Sequence, residues 1–190
     1  MSSKPSLLLH SCCAPCSSAV LERLTPSFDV TVFYYNPNIY PQTEYIKRLK
    51  EQKEYLKKID VKIIEGNYDE NEYLEAISNK ISLPEGSTRC FECYKFRLTQ
   101  TAKLAQQKKF NYFTTTLSVS PHKNADWINQ IGKTLETNAC KFLEANFKKQ
   151  NGFLRSLELS KQNGFYRQTY CGCKMSLRAS ENKVEKKSNL

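Results

Sequence analysis

Seven of the eight cysteines in this 190-residue chain fall into three short clusters. The clusters are Cys12, Cys13 and Cys16, then Cys90 and Cys93, and finally Cys171 and Cys173. Thiolates bind iron, iron–sulfur clusters, zinc and copper(I). Because the clusters are far apart in the sequence, they can serve one site only if the fold brings them together. The pattern predicts a thiolate-rich metal site.

Two structural uses of the cysteines compete with this prediction. Disulfide-dense chains are usually small and secreted. This chain has 190 residues, and the short apolar run at residues 7–9 has no signal-peptide cleavage site after it, so a disulfide framework is not favoured. A closed zinc site takes four ligands, so seven cysteines are too many for one such site and fit two poorly. Cys140 stands outside the clusters, and we expect it to be a buried apolar residue.

The charge of the chain favours a polyanionic partner. Lys and Arg outnumber Asp and Glu by 29 to 19, which gives a formal charge of +10. Such a balance is typical of proteins that bind nucleic acid. Part of the excess lies in the tail at residues 179–190, which we expect to be solvated and disordered. No apolar run is long enough to span a bilayer, so no membrane partner is expected.

Strand and helix patterns alternate along the chain. Strands are predicted at residues 6–10, 30–35, 61–64, 112–117 and 142–145. Helices are predicted at residues 17–24, 43–59, 69–78, from residue 90 onwards, 124–135 and 152–162. This order predicts one α/β domain over residues 1–178, with a mainly parallel sheet and helices on both faces. Ligands of such folds bind beyond the carboxyl ends of the strands, where we expect the metal site.

Two helices carry more detailed predictions. In the helix at residues 43–59, Thr43 is the expected N-cap, and a buried face is predicted at Ile46, Leu49, Leu56 and Ile59. Cys90 and Cys93 lie at the start of the following long helix, where the helix dipole is expected to lower the thiol pKa values.

Five motifs in collinear order carry a resemblance to a known family. They are HSCCAPC at residues 10–16, FYYNPNI at 33–39, RCFECY at 89–94, TTTLSVSPHK at 114–123 and YRQTYCGC at 166–173. Together they resemble the epoxyqueuosine reductase QueH family, over residues 7 to about 176. A single Cys-x-x-Cys would be weak evidence, whereas five motifs in order are specific.

The resemblance implies a definite chemistry and cofactor set. Members reduce the epoxide of epoxyqueuosine to queuosine at the wobble base of tRNA, on a Rossmann-like α/β domain of the HUP type. The resemblance also implies a [4Fe–4S] cluster and an additional iron ion, with the seven clustered cysteines as metal ligands. Relatives can carry Asp in place of Cys16, which favours Cys16 near the single iron. Asn146 and Thr169 stand where relatives often carry Asp.

Further site residues follow from the motifs. The candidate general acids for the epoxide oxygen are His10, Tyr35 and His122, although each could instead be structural. Tyr34 is expected to stack on the base and Asn36 and Gln168 to contact its edges, while Arg89, Lys123 and Arg167 hold phosphates.

Electrons must come from an external donor, and the expected compartment is the cytoplasm, where disulfides are rare and tRNA is present. Two alternatives stay open. One is a zinc-stabilised RNA-binding module without catalysis, and the other is a dithiol redox protein that uses Cys90 and Cys93.

Overall fold

A parallel sheet organises the chain in the computed structural model, which describes residues 4–177. Its strands are β1 (Ser6–Ser11), β2 (Asp29–Tyr34), β3 (Lys62–Glu65), β4 (Tyr112–Thr115) and β5 (Lys141–Phe142). Their order across the sheet is β3-β2-β1-β4-β5, and every neighbouring pair is parallel. This confirms the predicted α/β class and gives a Rossmann-like strand order. The predicted tail at residues 179–190 lies outside the described residues.

Helices cover both faces of this sheet. They are α1 (Ala14–Leu24), α2 (Gln42–Lys58), α3 (Glu70–Ala76), α4 (Thr88–Gln107), α5 (Ala125–Thr134) and α6 (Gly152–Asn163). Because side chains alternate along a strand, Leu8 packs with α4 and α5 on one face, whereas Leu7 and Leu9 pack with α1 and α2 on the other. Within residues 4–177 no helix is both long and apolar enough to cross a membrane.

Strand β4 ends two residues earlier than predicted. The chain turns into a 3₁₀ helix at Thr116–Val119 because the Thr115 hydroxyl accepts a hydrogen bond from the Leu117 N–H at 3.2 Å. The fifth strand is also shorter than predicted and lies at Lys141–Phe142 rather than at 142–145. Helix α4 begins at Thr88 rather than at residue 90, since Ser87 caps it by accepting from the Arg89 N–H.

Helix α2 buries a different face from the one predicted. Ile46 is 54% exposed and Ile59 is 39% exposed. The N-cap is Pro41 without a side-chain hydrogen bond, so the prediction of a Thr43 cap is wrong. The residues that α2 buries are Glu44, Tyr45, Arg48, Gln52, Tyr55 and Leu56. The inner face is therefore partly polar, because the segments packed against it offer polar partners.

The order in which the strands are added to the sheet reverses at β1. From β1 the chain builds β2 and β3 on one side and later β4 and β5 on the other. Clefts in α/β proteins form at this switch, beyond the carboxyl ends of the strands. The first cysteine motif directly follows β1, and residues 120–123 follow the short helix after β4. The topology thus places two of the five motifs at one edge of the sheet.

Candidate active site

The first cysteine motif folds into a compact cysteine triad of Cys12, Cys13 and Cys16. Their three Sγ atoms all lie within 4.8 Å of one another, a spacing at which they can reach one metal centre. The turn from β1 into α1 creates this arrangement, with Cys13 at the N-cap and Pro15 in the first turn, where its fixed φ suits a helix start. Cys12 and Cys13 are buried, and Cys16 is half-buried.

The triad shares negative charge unequally. Hydrogen bonding with Cys13 and Cys16, together with the charges of Lys123 and Arg97, lowers the pKa of Cys12 well below its usual range. The interaction with Cys12 raises the pKa of Cys13 to about 12 and also raises the pKa of Cys16. In the metal-free protein, Cys12 is therefore the favoured thiolate, and its two neighbours are protonated. A cation that displaces those protons would gain three soft ligands at once.

A second set, here called the four-thiol group, consists of Cys90, Cys93, Cys171 and Cys173. Burial, opposed by the charge of Arg97 and aided by Cys171 and Cys173, raises the pKa of Cys93 to about 11. Burial also raises the pKa of Cys90, again with contributions from Cys171 and Cys173. Cys93 and Cys173 belong to one cluster of buried residues, so the two distant motifs meet. The prediction that the helix dipole lowers both pKa values in α4 is wrong, because burial outweighs the dipole.

The backbone of residues 170–173 is held against the start of α2. The Tyr40 N–H donates to the Gly172 carbonyl at 2.8 Å, and the Tyr170 hydroxyl donates to the Tyr40 carbonyl. Arg48 donates from Nη1 to the Cys171 carbonyl at 3.4 Å, and its Nε is bonded to Glu44 at 2.7 Å. Sequence reasoning missed Tyr40, Glu44 and Arg48 because their role is visible only once α2 packs on this loop.

A cavity of about 580 Å³ opens between the two sets of thiols. Cys12, Cys16 and Cys171 line it, together with four of the predicted site residues, which are His122, Lys123, Arg167 and Gln168. Gln168 donates from Nε2 to the Cys13 sulfur at 3.3 Å. Thr169 also lines this cavity, whereas Asn146 lines a neighbouring one of about 380 Å³. The structure thus brings cysteines, cations and a histidine to one concave surface.

His10, by contrast, lies inside the sheet. It is fully buried, its Nδ1 is 2.8 Å from the Thr115 hydroxyl, and its Nε2 is 3.1 Å from the Tyr35 carbonyl. Since a carbonyl only accepts, Nε2 carries the proton and Nδ1 accepts from Thr115. Burial, aided by the charge of Arg97, lowers the pKa of His10 to about 3. The neutral ring links three neighbouring strands, a contact that favours a structural role.

Tyr35 also faces the interior rather than the cavity. Its hydroxyl donates to Glu72 at 3.4 Å, and its ring stacks on Phe33 with 5.6 Å between the centroids. Burial, together with the Glu72 carboxylate, raises its pKa. Among the predicted general acids, His122 is the one that lines the cavity in the described part of the chain.

Three of the expected substrate contacts are buried. Tyr34 is inaccessible to solvent and donates its hydroxyl to the Tyr45 carbonyl at 3.1 Å. Asn36 is also inaccessible and donates to the Ser11 carbonyl at 2.8 Å. Arg89 is turned inwards, with Nη1 3.7 Å from the Cys173 sulfur. These positions correct the expectation of RNA contacts, because none of the three side chains has a surface on which a nucleotide could lie.

Comparison with known proteins assigns the chain to a family. A family model described as epoxyqueuosine reductase QueH matches residues 7–179. The chain belongs to the QueH family. It is therefore an oxidoreductase of the epoxyqueuosine reductase family, and the resemblance inferred from the five motifs is confirmed.

Individual relatives cover most of the same residues. An epoxyqueuosine reductase QueH of Streptococcus pyogenes serotype M1 is 40% identical over 177 residues, which are 90% of this chain and 69% of the relative. The protein of the same name from Staphylococcus epidermidis is 38% identical, over 90% of this chain and 75% of its own length. The Thermotoga maritima protein of that name is 39% identical, over 90% of both chains.

Proposed function

We propose that this chain reduces the epoxide of epoxyqueuosine in tRNA to give queuosine, the last step of queuosine biosynthesis. Both C–O bonds of the epoxide break, a C=C bond forms, and the oxygen leaves as water. The reaction consumes two electrons, supplied by an external donor, and two protons. The observation that carries the proposal is the cavity between the two sets of thiols in a chain of the QueH family.

The residues present fit a [4Fe–4S] cluster together with an additional iron ion. The donor set is entirely sulfur, and buried N–H groups of Arg89 and Arg97 find no acceptor among the described residues, as expected beside an anionic centre. The seven clustered cysteines would hold these groups, which supply one-electron transfer and a Lewis acid for the epoxide oxygen. Cys16 stays our predicted ligand of the single iron, and the structure groups it with Cys12 and Cys13.

The cavity would receive the modified base after it leaves the anticodon stack. Bases of single-stranded loops can be splayed out in this way, which a buried site requires. Gln168 lines the cavity, and its Oε1 has no hydrogen-bond partner in residues 4–177, so it can accept a hydrogen bond from the base. Arg167 is exposed and Lys123 is half-buried at the cavity wall, where both can meet phosphates.

We assign the proton donor to His122. It is exposed and lines the cavity, as do Lys123, Cys12, Cys16 and Cys171. A general acid must reach the leaving oxygen directly or through a water, which a side chain on the cavity wall can do. His10 and Tyr35 would instead hold the ends of the strands that carry the site.

Anaerobic purification followed by a tRNA assay tests the proposal. Iron and acid-labile sulfide are measured first, and the protein is then incubated with epoxyqueuosine-containing tRNA and a chemical reductant. Queuosine should appear when the digested nucleosides are separated by mass. Iron-replete protein that forms no queuosine with a working reductant would contradict the function. A colourless protein with stoichiometric zinc would instead support an RNA-binding module, and a metal-free protein with a reversible Cys90–Cys93 disulfide would support a dithiol redox protein.

The compartment follows from the substrate and from the thiols. We infer that the protein works in the cytoplasm, where tRNA is present and cysteines stay reduced.

A further inference from the structure

Arg89 and Arg97 are buried cations without a carboxylate partner in residues 4–177. Each is 2% exposed, and neither forms a salt bridge within that range. Arg89 Nε and Arg97 Nη2 find no hydrogen-bond acceptor there either. A buried charge is costly unless an opposite charge lies close to it. Both arginines therefore require a negative partner that no carboxylate of the described residues provides.

Neither side chain is placed to bind the substrate. Arg89 and Arg97 do not line the cavity, whereas Lys123 and Arg167 do. A third buried arginine, Arg48, differs from them because it is paired with Glu44 at 2.7 Å. The unpaired charge is therefore a property of the two arginines on α4.

Their surroundings identify the missing negative partner as sulfur. Arg89 donates from Nη1 to the Cys173 sulfur at 3.7 Å, and Arg97 donates from Nε to the Cys93 carbonyl at 3.3 Å. Arg97 thus lies beside Cys93, a member of the four-thiol group.

We propose that Arg89 and Arg97 are positioning residues that stabilise the reduced state of the metal centre at the four-thiol group and thereby raise its reduction potential. Each added electron makes a thiolate-bound iron–sulfur centre more negative. A fixed cation in a low-dielectric interior stabilises that state more than the oxidised one. Net charge and hydrogen bonds to sulfur are among the factors that set such potentials. The inference rests on the proposed iron–sulfur function.

The test is a redox titration of the reconstituted holoenzyme. The electron paramagnetic resonance signal of the reduced centre measures how much of the centre is reduced at each potential. The variants are Arg89→Gln and Arg97→Gln, compared with the charge-retaining Arg89→Lys and Arg97→Lys. At a fixed potential, each Gln variant should show a roughly tenfold lower ratio of reduced to oxidised centre, which is about 59 mV for a one-electron couple. The Lys variants should recover most of the difference.

Arg155→Gln is the matched control. It removes the same charge from a surface arginine that is paired with Glu22 and Glu158, so its midpoint potential should equal that of the wild type. Unchanged potentials in both Gln variants, with full iron content, would overturn the inference. A wild-type protein without iron and sulfide would overturn the proposed function and the inference with it.

A second measurement is used if a Gln variant takes up no iron and its potential cannot be titrated. The Lys variant at the same position should then take up iron, because the negative centre needs a cation beside it. A Lys variant that also takes up no iron would count against the inference.

Discussion

At the scale of single residues, the cysteines and their supports have separate roles. The thiols could be recognised from their types and spacing, because few other patterns place seven cysteines in three clusters. The supports could not be recognised in this way. Thr115 and Gly172 do not stand out in the sequence. Thr115 matters because of the hydrogen bonds of its hydroxyl, and Gly172 matters because of its backbone φ angle.

The first prediction concerns the hydroxyl of Thr115. It accepts from the Leu117 N–H and donates to His10 Nδ1, both of them buried. Thr115→Val leaves these two groups unpaired, so it should lower the free energy of unfolding by about 1–3 kcal/mol. Urea denaturation measures the change. Thr99→Val, at a half-buried position of α4, should change it by less than about 0.5 kcal/mol. Equal effects of the two substitutions would show that the bridge contributes nothing.

A second prediction concerns Gly172, which has φ of +126°. A Cβ there would lie 3.2 Å from both Arg48 Nη1 and Ile39 Cγ1, so Gly172→Ala should displace the flanking cysteines, at a cost of about 1–3 kcal/mol in strain. The iron-to-protein ratio after reconstitution should fall. Gly164→Ala is the control, because its φ is +64° but no atom lies within 4 Å. If both variants bind iron equally well, the packing at Gly172 is not required.

At the scale of elements, α2 shows the limit of sequence patterns. Its bounds were predicted to within one residue at each end, because a long run of helix formers defines them. The predicted buried face of α2 was partly wrong, because hydrophobic periodicity does not detect polar side chains that are buried with polar partners. Gln52 is fully buried because its Oε1 accepts from the hydroxyls of Ser11 and Ser17, which flank the cysteine triad. Only the folded neighbours reveal this.

Alanine substitutions on α2 test the observed face. Leu56→Ala removes a side chain that is 1% exposed and should cost about 2–5 kcal/mol of unfolding free energy. Ile46→Ala, on the exposed side, should change that free energy by less than about 0.5 kcal/mol. Denaturant titrations of both variants give the comparison. A large loss at Ile46 would favour the face predicted from periodicity.

At the scale of the whole molecule, the strand order brings motifs that are distant in the sequence close together. The alternation of strands and helices was enough to predict that they converge, because parallel strands end at one edge of the sheet. The division into a triad and a four-thiol group could not be predicted, nor could the burial of Tyr34, Asn36 and Arg89. Both depend on how loops pack, and local patterns do not contain that information.

Cysteine substitutions should separate metal ligands from packing residues. Cys13→Ser and Cys173→Ser each remove a proposed ligand, so iron content and the unfolding temperature of the reconstituted protein should both fall. Cys140→Ser changes a buried thiol outside both sets and should leave iron content unchanged. Iron loss only in the Cys140 variant would contradict the assignment.

Salt dependence should distinguish surface cations from buried ones. Log–log plots of tRNA affinity against salt should become shallower by roughly one unit for Lys123→Gln and for Arg167→Gln if each meets a phosphate. Arg89→Gln should leave the slope as it is, because the side chain is buried beside Cys173. Filter binding across a salt series provides the slopes. A shallower slope for Arg89→Gln alone would restore the expectation drawn from its motif.

The docking of residues 170–173 onto α2 has a consequence for biosynthesis. The four-thiol group joins cysteines of α4 to a loop about eighty residues later, which Tyr40 and Arg48 hold in place. While the ribosome is still translating the segment between them, α4 can already fold, but its thiols have no partners. The group can therefore assemble only after residue 173 has left the ribosome. Loading of iron at the four-thiol group would therefore follow the translation of residue 173.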